Sequence, residues 1–251
     1  GGAQRGLRGV DRGRIILGCL QPGQTASTYT DALNRLCDRL HYLNLSGDRA
    51  QEATRFWFDT RANLRREMED RKGRFDDRTE VRPKIAEALK RLTSGSVLFE
   101  AVHIFTSNSD IPDDSALRLV LLPIDKAYTP QEATVAGEEV LETVRANGSR
   151  PRYRANRLLF IAADGGSLIR LRDGVRTALA WGSIVDDVEK KRLNIDMAQR
   201  DQARKELAGA EGVVPKLARE CFKWLLCPVM ASATEKQASV EVYALPTGEG
   251  T

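Results

Sequence analysis

A chain of 251 residues with 41% apolar and 29% charged side chains can bury a full core, which excludes a disordered or low-complexity protein. A net charge of +4 is too mild to require a nucleic-acid partner, and four cysteines without a CxxC spacing, beside two histidines, exclude a zinc site or a disulfide framework. No run approaches the ~20 apolar residues of a membrane span and no signal-peptide core opens the chain, so a cytoplasmic protein is expected, with Cys19, Cys37, Cys221 and Cys227 as reduced, buried thiols.

Gly1 and Gly2 stand where an initiator Met is expected, and Arg5, Arg8, Arg12 and Arg14 follow at once. Both features suggest a piece of a longer polypeptide, and a cleaved tag explains the glycines equally well. The apolar run 14–20, closed by Gln21-Pro22-Gly23, predicts a buried strand and a tight loop. Ala32, Leu33, Leu36, Cys37, Leu40 and Leu43 then recur at three- and four-residue steps, which predicts a helix over 26–44. An aromatic strand follows at 54–60, and two polar helices at 62–75 and 79–93.

Strands are expected at 96–106 and 117–124, flanking a loop, 107–114, that is dense in turn formers. Pro130 starts a helix whose apolar face, Val135, Val140, Leu141 and Val144, lasts until Asn147-Gly148. The uninterrupted apolar stretch 157–164 is the kind of strand found in a sheet covered on both faces. After Gly165-Gly166 the pattern is helical to about Val229, divided near Gly182 and at 194–196, with Val213, Val214, Leu217, Cys221, Phe222 and Leu225 as one stripe of the last helix; a final strand is expected from Val240 to Leu245. This alternation predicts an α/β fold: a mixed or mostly parallel sheet with helices on both faces and a helical C-terminal third. Residues 1–164 would form the α/β core, 165–230 a helical extension packed on it, and 231–251 a tail carrying the last strand.

The most suggestive pattern is Gly18 to Gly23 followed by Gln24 and Thr25, which has the glycine spacing and the threonine of a P-loop. Gln24 stands where the lysine belongs, and a neutral amide replaces that lysine's hydrogen bond without its charge. Pro22 also removes one N–H from the phosphate cradle. A degenerate site of Gly18, Gly23, Gln24 and Thr25 would further need an acidic Mg²⁺ ligand at a strand end, for which Asp164 is better placed than Asp125. The plain alternative is an ordinary corner between two elements, with the aspartates as turn or cap residues.

Two arginine groups are candidates for phosphate or nucleic acid. Arg61, Arg65 and Arg66 open a helix, where cations oppose the macrodipole and gain from an external anion. Arg150, Arg152, Arg154 and Arg157 surround Tyr153, and arginine both contacts phosphate and stacks on bases. The plain reading of each group is a solvated charged surface or an ordinary exposed loop. An aromatic content of 6% argues against an extensive base-stacking platform. His41 and His103 have no nucleophile at a suggestive spacing, and the acidic residues Asp110, Asp113 and Asp114 match no calcium loop.

Several stretches occur together in a fixed order: 17–23 with 31–36, 55–61 with Asn63 and Leu64, 111–114 leading into 117–123, 156–164, Ala180-Trp181 with Ser183-Ile184, and 224–228. From about Gly9 to Pro228 the chain thereby resembles a family of bacterial and archaeal predicted AAA-type P-loop ATPases, known only as a domain of unknown function. Its members are encoded beside restriction, methylation and phage-defence genes, and some begin with a Swt1-type HEPN domain. The resemblance implies that the true Walker motifs lie upstream, that Gly18–Thr25 is a chance echo, and that ATP and Mg²⁺ are bound elsewhere in the full-length protein. This chain would then be the portion following the ATPase core, not catalytic by itself, with that core, defence-system proteins and DNA as its candidate partners. The alternatives are a stand-alone nucleic-acid-binding module and a degenerate domain that senses nucleotide.

Overall fold

The computed structural model describes residues 9–40, 42–46, 48, 50–59, 63–131, 134–230 and 238–247. The chain divides into two compact units that are each discontinuous in sequence: residues 1–74 with 179–207, and residues 75–178 with 208–251. This division cuts across the expected boundary at residue 164, because two long helices each pass from one unit into the other.

In the first unit, β1 (Val10–Asp11), β3 (Arg55–Phe58) and β2 (Leu43–Ser46) form an antiparallel sheet in the order β1-β3-β2. The run expected as a strand at 14–20 is instead α1 (Arg12–Cys19). The reason is local: the Asp11 carboxylate caps the helix by accepting from the Arg14 N–H at 2.9 Å. A short apolar run does not by itself distinguish strand from helix, and the cap decided it. Gly23, at φ +83°, makes the turn into α2 (Ala26–Arg39). Leu33 and Cys37 of α2 pack on Leu43 and Phe56 of the sheet; the helical face was expected to include Leu36 and Leu43, but Leu36 is exposed and Leu43 lies in β2. Arg12 is buried here, donating to the Asn34 side chain at 2.8 Å and lying over the Phe56 ring.

α3 (Leu64–Lys72) is capped by Asn63, whose side chain accepts from the Arg66 N–H. Its buried Arg71 bonds Glu67, the Ser183 hydroxyl at 2.7 Å and Asp187 at 2.8 Å. That network ties α3 to the C-terminal part of α6 (Gly165–Glu189), which belongs to the same unit from Leu179 onward. α6 runs unbroken through Gly182; the chain reverses only at 190–196, where Lys191 takes φ 56°.

The second unit is built on a five-stranded mixed sheet of order β10-β9-β8-β5-β4. Its parallel part comprises β4 (Ala101–Ile104), β5 (Arg118–Leu121) and β8 (Leu158–Ala162); β9 (Trp224–Val229) and β10 (Ser239–Ala244) are antiparallel. Val120, Leu122, Phe160, Ala162 and Leu226 pack against Ala136, Val140 and Val144 of α5 (Thr134–Arg145). Leu119 and Leu121, which alternate to the opposite face, are also buried, so β5 is covered on both sides. α4 (Arg82–Thr93) lies beside β4. The α/β class with a mixed sheet is as expected, and so is the last strand.

β9 is a correction. The helical pattern was extended to Val229, whereas α7 (Met197–Cys221) stops at Cys221 and the segment from Trp224 joins the sheet. Pro228 is tolerated in a strand because the pairing with β8 covers only Trp224–Leu226, leaving Pro228 opposite Val240 alone. Leu225 therefore belongs to a sheet and not to the helical stripe.

Candidate functional site

The Gly18–Thr25 pattern does not have the setting of a phosphate-binding loop. Gly18 lies within α1, the turn at Gly23 joins two helices, and Thr25 precedes α2 without a side-chain cap bond. The Gln24 side-chain oxygen accepts from the Tyr29 hydroxyl. A phosphate cradle needs a strand feeding the loop so that successive N–H groups converge, and here a helix feeds it. These residues also belong to the first unit and Asp164 to the second, so neither unit holds the whole candidate set.

Asp164 ends β8 and caps α6. One carboxylate oxygen accepts from the Ser167 N–H at 2.9 Å and the Ser167 hydroxyl at 2.7 Å. The other accepts from the Trp224 indole N–H at 3.0 Å and faces the Lys223 ammonium at 3.3 Å. Burial works to raise its pKa, but the bonds from Ser167, Trp224 and Lys223 outweigh it and hold the carboxyl below its usual value. Both oxygens are engaged in fastening the ends of β8, α6 and β9 together. Asp125, the other strand-end candidate, is exposed and faces Arg82 at 3.7 Å. Among the described residues, no group of three or more His, Cys, Asp or Glu side chains is placed to hold a metal. His103, on β4, lies 3.4 Å from the buried Arg118; burial first, then the Arg118 charge, push its pKa down. His41 and Arg61 fall outside the described residues.

The arginines around Tyr153 separate sharply. The hairpin β6 (Ala146–Asn147) and β7 (Arg150–Pro151) turns at Gly148, whose φ of +59° is one that L side chains rarely adopt. Arg152, just beyond, is 8% exposed. Its guanidinium donates to four main-chain oxygens: Thr143 at 2.8 Å, Ile111 at 3.0 Å, Pro112 at 3.1 Å and Asn108 at 3.2 Å. It is thus an internal clamp on the 107–114 loop, and the expectation that it contacts nucleic acid is corrected. Across the loop the Asp113 carboxylate accepts from the N–H groups of Tyr153 at 2.8 Å and Arg154 at 2.7 Å. The Tyr153 N–H, opposed by partial burial and aided by the Arg154 N–H, holds its carboxyl below the usual range.

The effect is a fixed main chain with outward side chains. Tyr153 is 83% exposed, and Arg150, Arg154 and Arg157 are exposed, the Arg154 charge also acting on the Asp113 carboxylate. Asp114, in the same loop as Asp113, is engaged by Arg118 at 2.6 Å. Sequence reasoning missed Arg145, exposed at the end of α5, whose carbonyl accepts from the Arg152 N–H at 3.1 Å. Its signal was the cation in the last turn of the preceding helix.

Comparison with protein-family models, with curated proteins and with solved structures gives no match. The chemistry of the site therefore stands on geometry alone.

The other arginine group lies in the first unit. Arg65 and Arg66 border a cavity of about 690 Å³ with Asn44, Asp48, Gln199 and Gln202. Arg66 faces Asp70 at 3.3 Å, Asn63 is spent on its cap and on the Leu43 carbonyl, and Asp48 accepts from the Ala50 N–H. Arg65 is exposed. No helix among the described residues is long and apolar enough to cross a membrane.

Proposed function

We propose that this chain is a non-catalytic segment of an AAA-type ATP-binding protein of a DNA-transaction or phage-defence system, and that it engages nucleic acid through the loop 145–157. Hydrolysis of ATP, with its Mg²⁺, would reside in another part of the full-length polypeptide. One observation carries the nucleic-acid reading: a loop pinned internally by Arg152 and Asp113 presents the side chains of Arg150, Tyr153, Arg154 and Arg157 to solvent. Arginines held ready on a rigid loop lose little conformational freedom on meeting phosphates, so more of the Coulombic gain appears as affinity. The resemblance in the order of the segments from Gly9 to Pro228 supports the ATPase context. A phosphate-contacting role for Arg65 at the cavity of the first unit is compatible with that context.

The test is binding of the purified chain to fluorescently labelled oligonucleotides, read by anisotropy over a salt series. Affinity that falls steeply with salt, and falls further in the triple variant Arg150→Ala, Arg154→Ala, Arg157→Ala, supports the reading. Absence of binding at low salt removes it. For the ATPase context, the decisive observation is the reading frame upstream, where an intact G-x-x-x-x-G-K-[ST] is expected.

A further inference from the structure

We infer that the loop around Tyr153 reads unpaired bases, so that its ligand is single-stranded nucleic acid. This rests on the nucleic-acid reading above and adds the substrate class to it. Tyr153 is the observation that phosphate binding leaves unexplained. Its ring is 83% exposed on a main chain fastened by Asp113, which accepts from its N–H at 2.8 Å and from the next residue's at 2.7 Å.

A duplex presents phosphates outward and keeps its base faces stacked inside, so an exposed phenol ring among arginines gains almost nothing from it. Reading the major groove takes a helix or a two-stranded ribbon inserted into it. The hairpin here has only two residues in each strand, β6 and β7, with Arg150 opening β7 and Arg154 and Arg157 following beyond it. A single strand offers what this surface lacks: base faces to cover the ring while Arg150, Arg154 and Arg157 meet successive phosphates. Stacking of a base on an aromatic ring is tolerant of sequence because every base has a π-face. Tyrosine suits such a contact because it supplies a large area at the cost of two rotatable bonds.

The experiment compares the intact chain on oligonucleotides of equal length: single-stranded DNA, single-stranded RNA and duplex DNA. The single strands are expected to bind more tightly than the duplex, and the DNA and RNA arms say which sugar is preferred. Tyr153→Ala should weaken single-strand binding roughly tenfold and leave duplex binding unchanged, while Tyr153→Phe retains the wild-type affinity. Arg154→Ala should weaken both, with a shallower salt dependence. Because Tyr153 is exposed, an unchanged melting temperature of the alanine variant shows that the loss is one of contact. Equal affinity for single and double strands, or an equal effect of Tyr153→Ala on both, overturns the inference and leaves the phosphate-binding loop standing. Failure of every oligonucleotide to bind removes both.

Discussion

The guanidinium of Arg152 donates at 3.0 Å to the main-chain oxygen of Ile111, a residue 41 positions earlier in the chain. In sequence, Arg152 is indistinguishable from Arg150 and Arg154 on either side. In the fold it is the clamp that allows the other two to face outward from a fixed base. Burial pulls its pKa below the ordinary arginine value, and the neighbouring Asp113 charge offsets only part of that.

That contrast predicts opposite consequences for neighbouring substitutions. Arg152→Met keeps much of the side-chain volume but removes four hydrogen bonds to main-chain oxygens, of which Ile111 keeps the Asn147 amide and Asn108 the Ile111 N–H, and should cost about 3 kcal/mol at roughly 1 kcal/mol or less per net hydrogen bond. Arg150→Met, on the surface, should stay within about 0.5 kcal/mol of wild type. Urea denaturation followed by circular dichroism separates the two, and an unshifted midpoint for Arg152→Met would contradict the clamp.

Nucleic-acid affinity should report the outward arginines individually. Each of Arg150→Ala, Arg154→Ala and Arg157→Ala is expected to reduce the slope of log affinity against log salt by about 0.7 on single strands. Variants that lower affinity without changing the slope would mean that these side chains do not meet phosphates.

Asp164 gives a pH dependence with a defined sign. Its carboxyl is held below the ordinary aspartate value, so it binds its proton less readily folded than unfolded. The stabilisation is therefore complete above the unfolded pKa and is lost as the pH falls through the lower folded value. Asp164→Asn should accordingly reduce stability at neutral pH and flatten the acid limb of the stability curve. Thermal melts between roughly pH 2 and 7 test this, and an acid limb identical in wild type and variant would show that other carboxylates control it.

Restoring the lysine that the P-loop pattern lacks should restore nothing. Gln24→Lys places an ammonium in a turn between two helices, where no strand end converges N–H groups on a phosphate. ATP with Mg²⁺ is expected to leave the melting temperature of Gln24→Lys unchanged, as in wild type. A rise of several degrees in the variant would show that the corner cradles phosphate after all.

Much of the architecture was legible in the chain itself. The spacing of Leu33 and Cys37, the aromatic run at Phe56, and the apolar stretches at Val120 and Phe160 each locate an element and the face it buries, because periodicity is a local property of the sequence. Several short segments were not, among them β2 at Leu43–Ser46 and the hairpin β6–β7. The run at Ile15 and Ile16 became a helix through a single cap from Asp11, and the segment at Leu225 and Leu226 became a strand because β8 and β10 lie on either side of it.

What the sequence alone determined is the α/β class, most of the elements, and a concentration of arginines about one tyrosine. Which of those arginines face solvent was decided only by the tertiary structure. The carbonyl oxygens at Asn108, Ile111 and Pro112 converge on position 152 and on none of its neighbours, and a buried main-chain acceptor needs a donor. The same holds for Asp164, whose oxygens are committed by Ser167 beside it and by Trp224, 60 residues away. Local pattern locates most segments, while the use of a charged side chain depends on which distant groups the fold brings to it.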